Sequence, residues 1–218
     1  MMLEFPGEFI PDKLIYRGAE AELWLGTWLN IRVVLKKRIR KGYRVNELDE
    51  ELIKSRTLKE ASLLYEAKIA GIKTPYVLHV NPVKGWIVMS FVEGKSLTEV
   101  IQEENEELLD RVGRDIYLMH SSKIYHGDLT PSNIIVVNCE PYFIDFGLGE
   151  KAIDIEKFAE DLNVLQKSLQ SKLGDDYHKK WNTIVNGYIT KGGEVAKEIV
   201  KRLDEINKRG RYKKRGEE

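Results

Sequence analysis

The stretch HGDLTPSNIIVVNCEPYFIDFGLGE, His126 to Glu150, decides the reading of this chain. Asp128 sits in its opening loop, Asn133 follows five residues later, and Asp145 opens an Asp-Phe-Gly triplet twelve residues beyond Asn133. Between the last two lie the apolar runs Ile134-Ile135-Val136-Val137 and Tyr142-Phe143-Ile144. Two short β-prone runs around a polar turn predict a hairpin, which brings Asn133 and Asp145 side by side. An amide and a carboxylate oxygen held together are hard ligands suited to Mg²⁺, and Asp128 supplies an acid beside an attacking hydroxyl. Together they point to phosphoryl transfer from Mg-ATP.

Composition sets the frame for that chemistry. The chain has 218 residues, enough for two small lobes or one larger domain, with 32% charged side chains and a formal net charge of zero. Overall charge therefore indicates no nucleic-acid partner, although local clusters do. A single cysteine, Cys139, excludes an intramolecular disulfide framework and suits a reducing compartment. No apolar run approaches the length of a membrane span, and MMLEFPGEF lacks the basic-then-apolar layout of a signal peptide. The expectation is a cytoplasmic protein, and the abundance of Lys, Glu and Ile hints at a thermophile.

The order and spacing of Asp128, Asn133 and Asp145 are those of protein kinases. Upstream, Leu14 to Trp28 reads as two strands joined by the turn Arg17 to Glu22, and Asn30 to Lys37 as a third. The run Val33-Val34-Leu35-Lys36 fits the kinase strand whose lysine reaches the nucleotide phosphates. Such a lysine needs a carboxylate partner. Ile53 to Ala70 has helical periodicity, with Leu58, Ala61, Leu64 and Tyr65 assigned to one face. Glu60 lies near the centre of that stripe, where an unpaired carboxylate is costly, whereas Glu66 falls off it, so Glu60 is the expected partner. Trp86 to Met89 reads as a buried strand leading into a hinge at Ser90 to Gly94. Backbone groups at Ser90 and Val92 are expected to meet the adenine edge, with Met89 behind it.

The expected fold is α+β and protein-kinase-like, with a β-rich N-lobe over residues 1–89, a reduced helical C-lobe over 90–207 and a basic tail over 208–218. Helices are expected at Leu97 to Ile101, Glu107 to Ser121, Lys157 to Leu169, Tyr177 to Tyr188 and Glu194 to Asn207. Only about ten residues separate Gly147 from the helix at Lys157, with no Ala-Pro-Glu, so the small second lobe offers no obvious platform for a peptide substrate.

Read together, these residues resemble the small atypical kinase subunit of the KEOPS tRNA-modification complex, a family of archaea and eukaryotes. The resemblance rests on Gly18-Ala19-Glu20-Ala21, on Lys36-Lys37-Arg38 followed by Lys41-Gly42-Tyr43-Arg44, and on Leu48-Asp49, Arg56-Thr57 and Glu60-Ala61. His126 to Thr130, the Asp-Phe-Gly-Leu run and Arg209-Gly210-Arg211 complete it. It implies ATPase and Ser/Thr autophosphorylation activity with ATP and Mg²⁺, serving threonylcarbamoyladenosine formation on tRNA. It also implies a threonylcarbamoyl-transferase subunit and other KEOPS subunits as partners. By the same resemblance Asp128 and Lys36 are catalytic, and Asn133 and Asp145 hold metal. Gly18, Ala19, Glu20, Ala21, Val34, Lys36, Glu60, Met89, Ser90, Val92 and Ile135 bind nucleotide. Asp161 matches a helix aspartate that braces the catalytic loop.

Departures from ordinary kinases carry expectations of their own. Gly18 stands alone in the phosphate loop, so fewer backbone N–H groups close over the phosphates. Glu20 and Glu22 are expected to face away, or to engage Lys36 or a metal. Gly127 replaces the arginine that grips a phosphorylated activation loop, which points to control by a docked partner. Six Lys or Arg fall within Lys36 to Arg44, and six more within Lys208 to Arg215. These clusters read as patches for a phosphate backbone, with Lys41, Arg44, Arg209, Arg211, Lys213, Lys214 and Arg215 as RNA or partner contacts. The tail reads as a flexible arm that orders on RNA. The rivals are a non-catalytic scaffold binding nucleotide and tRNA, and a small-molecule phosphotransferase of the aminoglycoside-kinase type, which normally carries a larger helical lobe.

Overall fold

The computed structural model describes the backbone of residues 5–42 and 45–215, with side chains through residue 209. Contacts divide the chain into two units, Met1–Tyr65 with Pro75–Val92, and Glu66–Thr74 with Glu93–Glu218.

The first unit is an antiparallel sheet and a helix. Its strands are β1 (Phe9–Arg17), β2 (Ala21–Trp28), β3 (Ile31–Arg38), β4 (Val77–Asn81) and β5 (Trp86–Ser90), in the order β1-β2-β3-β5-β4. Alternation along β3 explains the layering. Val33 and Leu35 point to one face, joining Phe9, Trp86 and Val88 under Phe5, Trp24 and Trp28. Val34 points to the other, where Ile87, Met89, Val77 and Val80 pack against Ala61 of α1 (Asn46–Ile69). Leu29 and Asn30 adopt φ of 51° and 61°, as a tight turn between β2 and β3 requires. The first strand begins at Phe9 rather than near Leu14, and its pairing with β2 shifts register between Pro11, which has no N–H to give the ladder, and Lys13.

The helix α1 corrects the expected stripe. Leu58 and Tyr65 are 47% and 62% exposed, while the inward face carries Ile53, Thr57, Glu60, Ala61, Leu64 and Ala67. That face is rotated about one residue from the expected one and centres on the carboxylate.

The second unit begins with the end of α1 and continues with β6 (Lys95–Ser96), α2 (Leu97–Val100), α3 (Glu106–Ser121) and β7 (Ile124–Tyr125). Then follow β8 (Ile134–Val137), β9 (Glu140–Phe143), β10 (Glu150–Lys151), α4 (Ile155–Leu173) and α5 (Tyr177–Arg215). Asn105 caps α3 by accepting from the Leu108 amide at 2.9 Å, and Glu106 and Glu107 occupy its first turn, as an acidic helix start should. The segment Glu66–Thr74 joins this unit because the Phe143 amide donates to the Lys73 carbonyl at 2.8 Å and Lys151 pairs with Glu66. Helices α3 and α5 approach closely. A Cβ on Gly113 would stand 1.9 Å from the Ile184 carbonyl oxygen, and one on Gly187 2.1 Å from that of Asp110.

Gly193, at φ 58°, breaks the helical path of α5, which is the gap expected between the last two helices. Beyond it the backbone runs helically to Arg215, so residues 208–215 of the basic tail continue α5. Among the described residues no helix is long and apolar enough to cross a membrane.

Burial pushes the Asp115 carboxyl on α3 up to about 6, with Arg111 and Lys73 only partly opposing. Between an unfolded value near about 4 and this folded one, the folded chain keeps a proton that the unfolded chain releases. The cost of the buried carboxylate therefore enters as pH rises through that window. Asp115→Asn is expected to raise stability at about pH 7, with the gain gone below about pH 4. Urea unfolding at both values checks this, and an equal effect at both would contradict it.

Candidate active site

The first unit supplies a cationic group. On β3 the side-chain period of two puts Lys36 and Arg38 on the same face as Val34, toward α1. There Glu60, 1% exposed, receives both: Lys36 Nζ donates to Oε1 at 2.6 Å and Arg38 Nη2 to Oε2 at 2.5 Å. The Lys36–Glu60 pair was legible in the sequence. Arg38 was not, because it reads as one more member of a basic run.

The loop before β2 is tight, with the Gly18 amide donating to the Ala21 carbonyl at 3.0 Å. Its acids are turned to side-chain partners: Glu20 pairs with Arg56 at 3.0 Å, and Glu22 with Arg17 at 3.0 Å. Neither pair involves Lys36. Lys41 Nζ donates to the Ala19 carbonyl, tying the loop to the segment after β3. Near the expected adenine position, Val34 packs with Met89 and Ala61. The Ser90 amide is taken by the Tyr76 carbonyl at 2.9 Å, whereas the Val92 amide makes no hydrogen bond among the described residues.

The second unit holds Asp128, Asn133 and Asp145, the expected acid and oxygen ligands. β8 and β9 pair as a hairpin with Ile134 opposite Phe143, and the Ile144 amide donates to the Asn133 carbonyl at 3.0 Å. Asn133 and Asp145 are thus neighbours across the hairpin mouth. Ile135 lies on β8, opposite Tyr142 and Ser96. Asn133 Nδ2 donates to the Asp128 carbonyl at 2.8 Å and to its Oδ2 at 3.0 Å, which assigns the amide orientation. Among the described residues Asn133 Oδ1 and Asp128 Oδ1 accept from no protein donor, one suited to a cation and the other to a hydroxyl.

Asp145 itself has φ of 60°, a left-handed conformation that Asp tolerates, with its Oδ1 accepting from the Gly147 amide at 3.1 Å. Gly127 adopts φ of 82°, and a Cβ there would stand 2.4 Å from the Leu148 carbonyl oxygen. Any side chain is excluded, which is a steric reason for the missing arginine. The short segment after Asp-Phe-Gly returns at once, β10 pairing with β7.

The loop that carries Asp128 is braced by α4. Asp161, fully buried on α4, accepts from the His126 amide at 2.7 Å and the Gly127 amide at 2.9 Å. Its Oδ2 also lies 3.3 Å from His120 Nε2, and His120 Nδ1 lies 2.9 Å from the Tyr188 hydroxyl. The consistent assignment has Tyr188 donating to His120, and His120 to Asp161. Sequence reading placed Asp161 in this role and missed His120 and Tyr188, whose only signal was position on apolar helix faces. Burial pushes the His126 imidazole down, against the pull of Asp161 and Asp145, so it stays neutral. Its Nε2 donates to the Ile144 carbonyl at 3.1 Å, and its ring packs on Phe146 at 4.6 Å. This locks the loop to the Asp-Phe-Gly turn.

Much of the first basic cluster is engaged within the chain. Besides Lys36 and Arg38 on Glu60, Arg40 pairs with Glu50 at 2.8 Å. Arg44 lies outside the described residues. In the second cluster Arg209 is exposed on α5, and the side chains of Arg211, Lys213, Lys214 and Arg215 lie outside those described.

Among the described residues no group of three or more His, Cys, Asp or Glu gathers as a metal cage. Mg²⁺ does not need one, since it keeps several waters and takes one or two protein oxygens plus phosphate. The Asn133 and Asp145 oxygens fit it.

Comparison with known proteins bears on this arrangement directly. Residues 33–180 match the family model of the RIO domain. The KEOPS complex subunit Bud32 of Pyrococcus abyssi is 38% identical over 214 residues, covering 93% of this chain and 97% of that protein. The chain belongs to the RIO-domain family, in the branch of KEOPS subunit Bud32. Probable bifunctional tRNA threonylcarbamoyladenosine biosynthesis proteins of Methanosphaera stadtmanae and Methanothermobacter thermautotrophicus are 36% and 39% identical. The chain spans only 37% of the length of each of these bifunctional relatives. Among solved structures, the Rio2 kinase of Chaetomium thermophilum, described as an ADP/Mg²⁺–phosphoaspartate complex, aligns with TM-score 0.60 and 16% identity, over 93% of this chain and 72% of that one. This likeness establishes the protein-kinase-like fold of the RIO-family chain.

Proposed function

We propose that this RIO-family chain is an Mg-ATP-dependent atypical Ser/Thr kinase and ATPase that supports threonylcarbamoyladenosine formation on tRNA as a KEOPS subunit. The observation that carries the reading is the Asn133 amide held on Asp128, with Asp145 beside it across the hairpin. Mg²⁺ bound on Asn133 Oδ1 and Asp145 would neutralise charge on the phosphates. Lys36 adds a cation for the phosphates, fixed by Glu60. Asp128 Oδ1 accepts a hydrogen bond from the attacking hydroxyl or water and aligns it, while Asn133 keeps the carboxylate from rotating away. Val34, Met89 and the Val92 amide are the adenine contacts of the first unit.

The return of the chain at β10 leaves little surface for a peptide substrate, which favours water or a Ser/Thr of the chain itself as acceptor. The similarity to Bud32 supports the threonylcarbamoyl-transferase subunit and other KEOPS subunits as partners, and the basic end of α5 supports tRNA. ADP release is measured with the chain alone, with the transferase partner, and with partner plus tRNA. Turnover should rise with partner and again with tRNA, the second rise being lost at high salt as phosphate contacts weaken. Turnover indifferent to both would refute the assignment to the complex.

A further inference from the structure

The loop before β2, Gly18 to Ala21, is held by its carbonyls. That of Ala21 accepts from the Gly18 amide at 3.0 Å, and that of Glu20 from the Ile39 amide at 2.9 Å. The Ala19 carbonyl accepts from Lys41 Nζ. Among the described residues the Ala19 and Glu20 amides make no hydrogen bond. The side chains that hold the loop are themselves fixed to α1. Asp49, 3% exposed in the first turn of that helix, accepts from the Lys41 amide at 3.0 Å, so the segment that delivers the ammonium is anchored. Farther along the same helix, Arg56 Nη1 lies 3.1 and 3.0 Å from the two carboxylate oxygens of Glu20. All of these residues belong to the first unit.

A trans peptide is planar, and its N–H points opposite to its C=O. The bond from Lys41 to the Ala19 carbonyl therefore fixes which way the Glu20 amide faces, namely away from the ammonium. A flip of that one plane would set a carbonyl oxygen where the amide had been. Successive unpartnered backbone amides make an anion site, which a carbonyl oxygen among them would spoil. Glu20 is the one charged side chain of the loop, and left to itself it would repel a polyphosphate. We infer that Lys41 and Arg56 are positioning residues of the phosphate loop. Lys41 sets the Ala19–Glu20 peptide plane so that the Glu20 amide is offered to a nucleotide phosphate, and Arg56 holds and neutralises the Glu20 carboxylate beside it. Side chains thus do in this loop what further glycines do elsewhere. Lys41, expected at RNA from its place in a basic run, serves the nucleotide instead. The inference rests on the reading of Gly18 to Ala21 as the phosphate loop.

Binding of Mg-ATP and of adenosine to the full chain tests it, with the amide resonance of residue 20 followed by NMR in both titrations. In the unaltered chain Mg-ATP should move that resonance and adenosine should not. A resonance that stays still while Mg-ATP binds overturns the phosphate-loop reading beneath the inference. Lys41→Met should raise Kd for Mg-ATP about fivefold, leave that for adenosine within about twofold, and shrink the shift of the residue 20 amide at saturation. A full shift in a Lys41→Met chain that binds Mg-ATP weakly would make Lys41 a direct phosphate cation and overturn the inference. Equal losses for Mg-ATP and adenosine would mark a general loosening of the sheet and overturn it as well. Arg56→Met should raise Kd for Mg-ATP about threefold, yet change it less than about 1.5-fold in the Glu20→Ala background, where no carboxylate is left to hold. The same loss in both backgrounds overturns the role given to Arg56.

Discussion

Asp145→Asn is expected to lower Mg²⁺-dependent ADP release by on the order of a thousandfold while leaving the thermal midpoint within a few degrees. The substitution is chosen for the backbone. Asp145 sits at φ of 60°, a conformation asparagine also tolerates, and its Oδ1 accepts from the Gly147 amide, a bond that an asparagine oxygen can still accept. What disappears is the negative charge on one of the two proposed metal ligands. Asp145→Ala mixes that loss with backbone strain and a lost hydrogen bond, so its effect is harder to assign. Turnover in Asp145→Asn close to that of the unaltered chain would mean that the metal is held elsewhere.

The second large effect is on stability. Asp161→Ala is expected to cost about 3–5 kcal/mol, because it strands the buried amides of His126 and Gly127 and the donor nitrogen of His120 together. For a chain of this size that lowers the thermal midpoint by roughly 10 °C. Asp161→Asn should recover part of the loss, since one oxygen still accepts, but its amide group faces donors. Tyr188→Phe removes only the outermost link, the hydroxyl on His120, and should cost about 1 kcal/mol. Chemical denaturation of the three variants gives the order directly. A cost for Asp161→Ala below that for Tyr188→Phe would show that the loop amides do not depend on this carboxylate.

The parts of the site that lie close in sequence were the most legible. Asn133 and Asp145 flank two apolar runs of hairpin length, so local pairing alone brings them together. Lys36 and Glu60 are 24 residues apart, yet strand alternation and the cost of burying a carboxylate were enough to pair them. The same reasoning failed for Arg38, which needed the glycine at 85 to be seen making space beneath α1. Periodicity on α1 gave the right helix and a face rotated about one residue, because Leu58 and Tyr65 look like core and are in fact exposed. Apolar identity outweighed a stripe whose centre is polar, at Thr57 and Glu60. His120 and Tyr188 are polar tips on helix faces otherwise apolar, and only their partners 41 and 68 residues from His120 reveal why they are buried. The order of the tail was not legible in composition: Arg and Gly suit a flexible arm, yet one glycine costs a helix only about 1 kcal/mol and lysine and arginine sustain it, as the helical backbone to Arg215 shows.

In the proposed function Asp128, Asn133 and Asp145 form a phosphoryl-transfer centre acting on Mg-ATP. The most direct measurement is ADP release by the purified full chain with Mg²⁺ or with excess chelator, for the unaltered protein and for Asp128→Ala. Turnover should require Mg²⁺ and be lost in Asp128→Ala, while that variant still binds Mg-ATP. Equal turnover in Asp128→Ala, or bound nucleotide that the unaltered chain never hydrolyses or transfers, alone or with its transferase partner and tRNA, would contradict it.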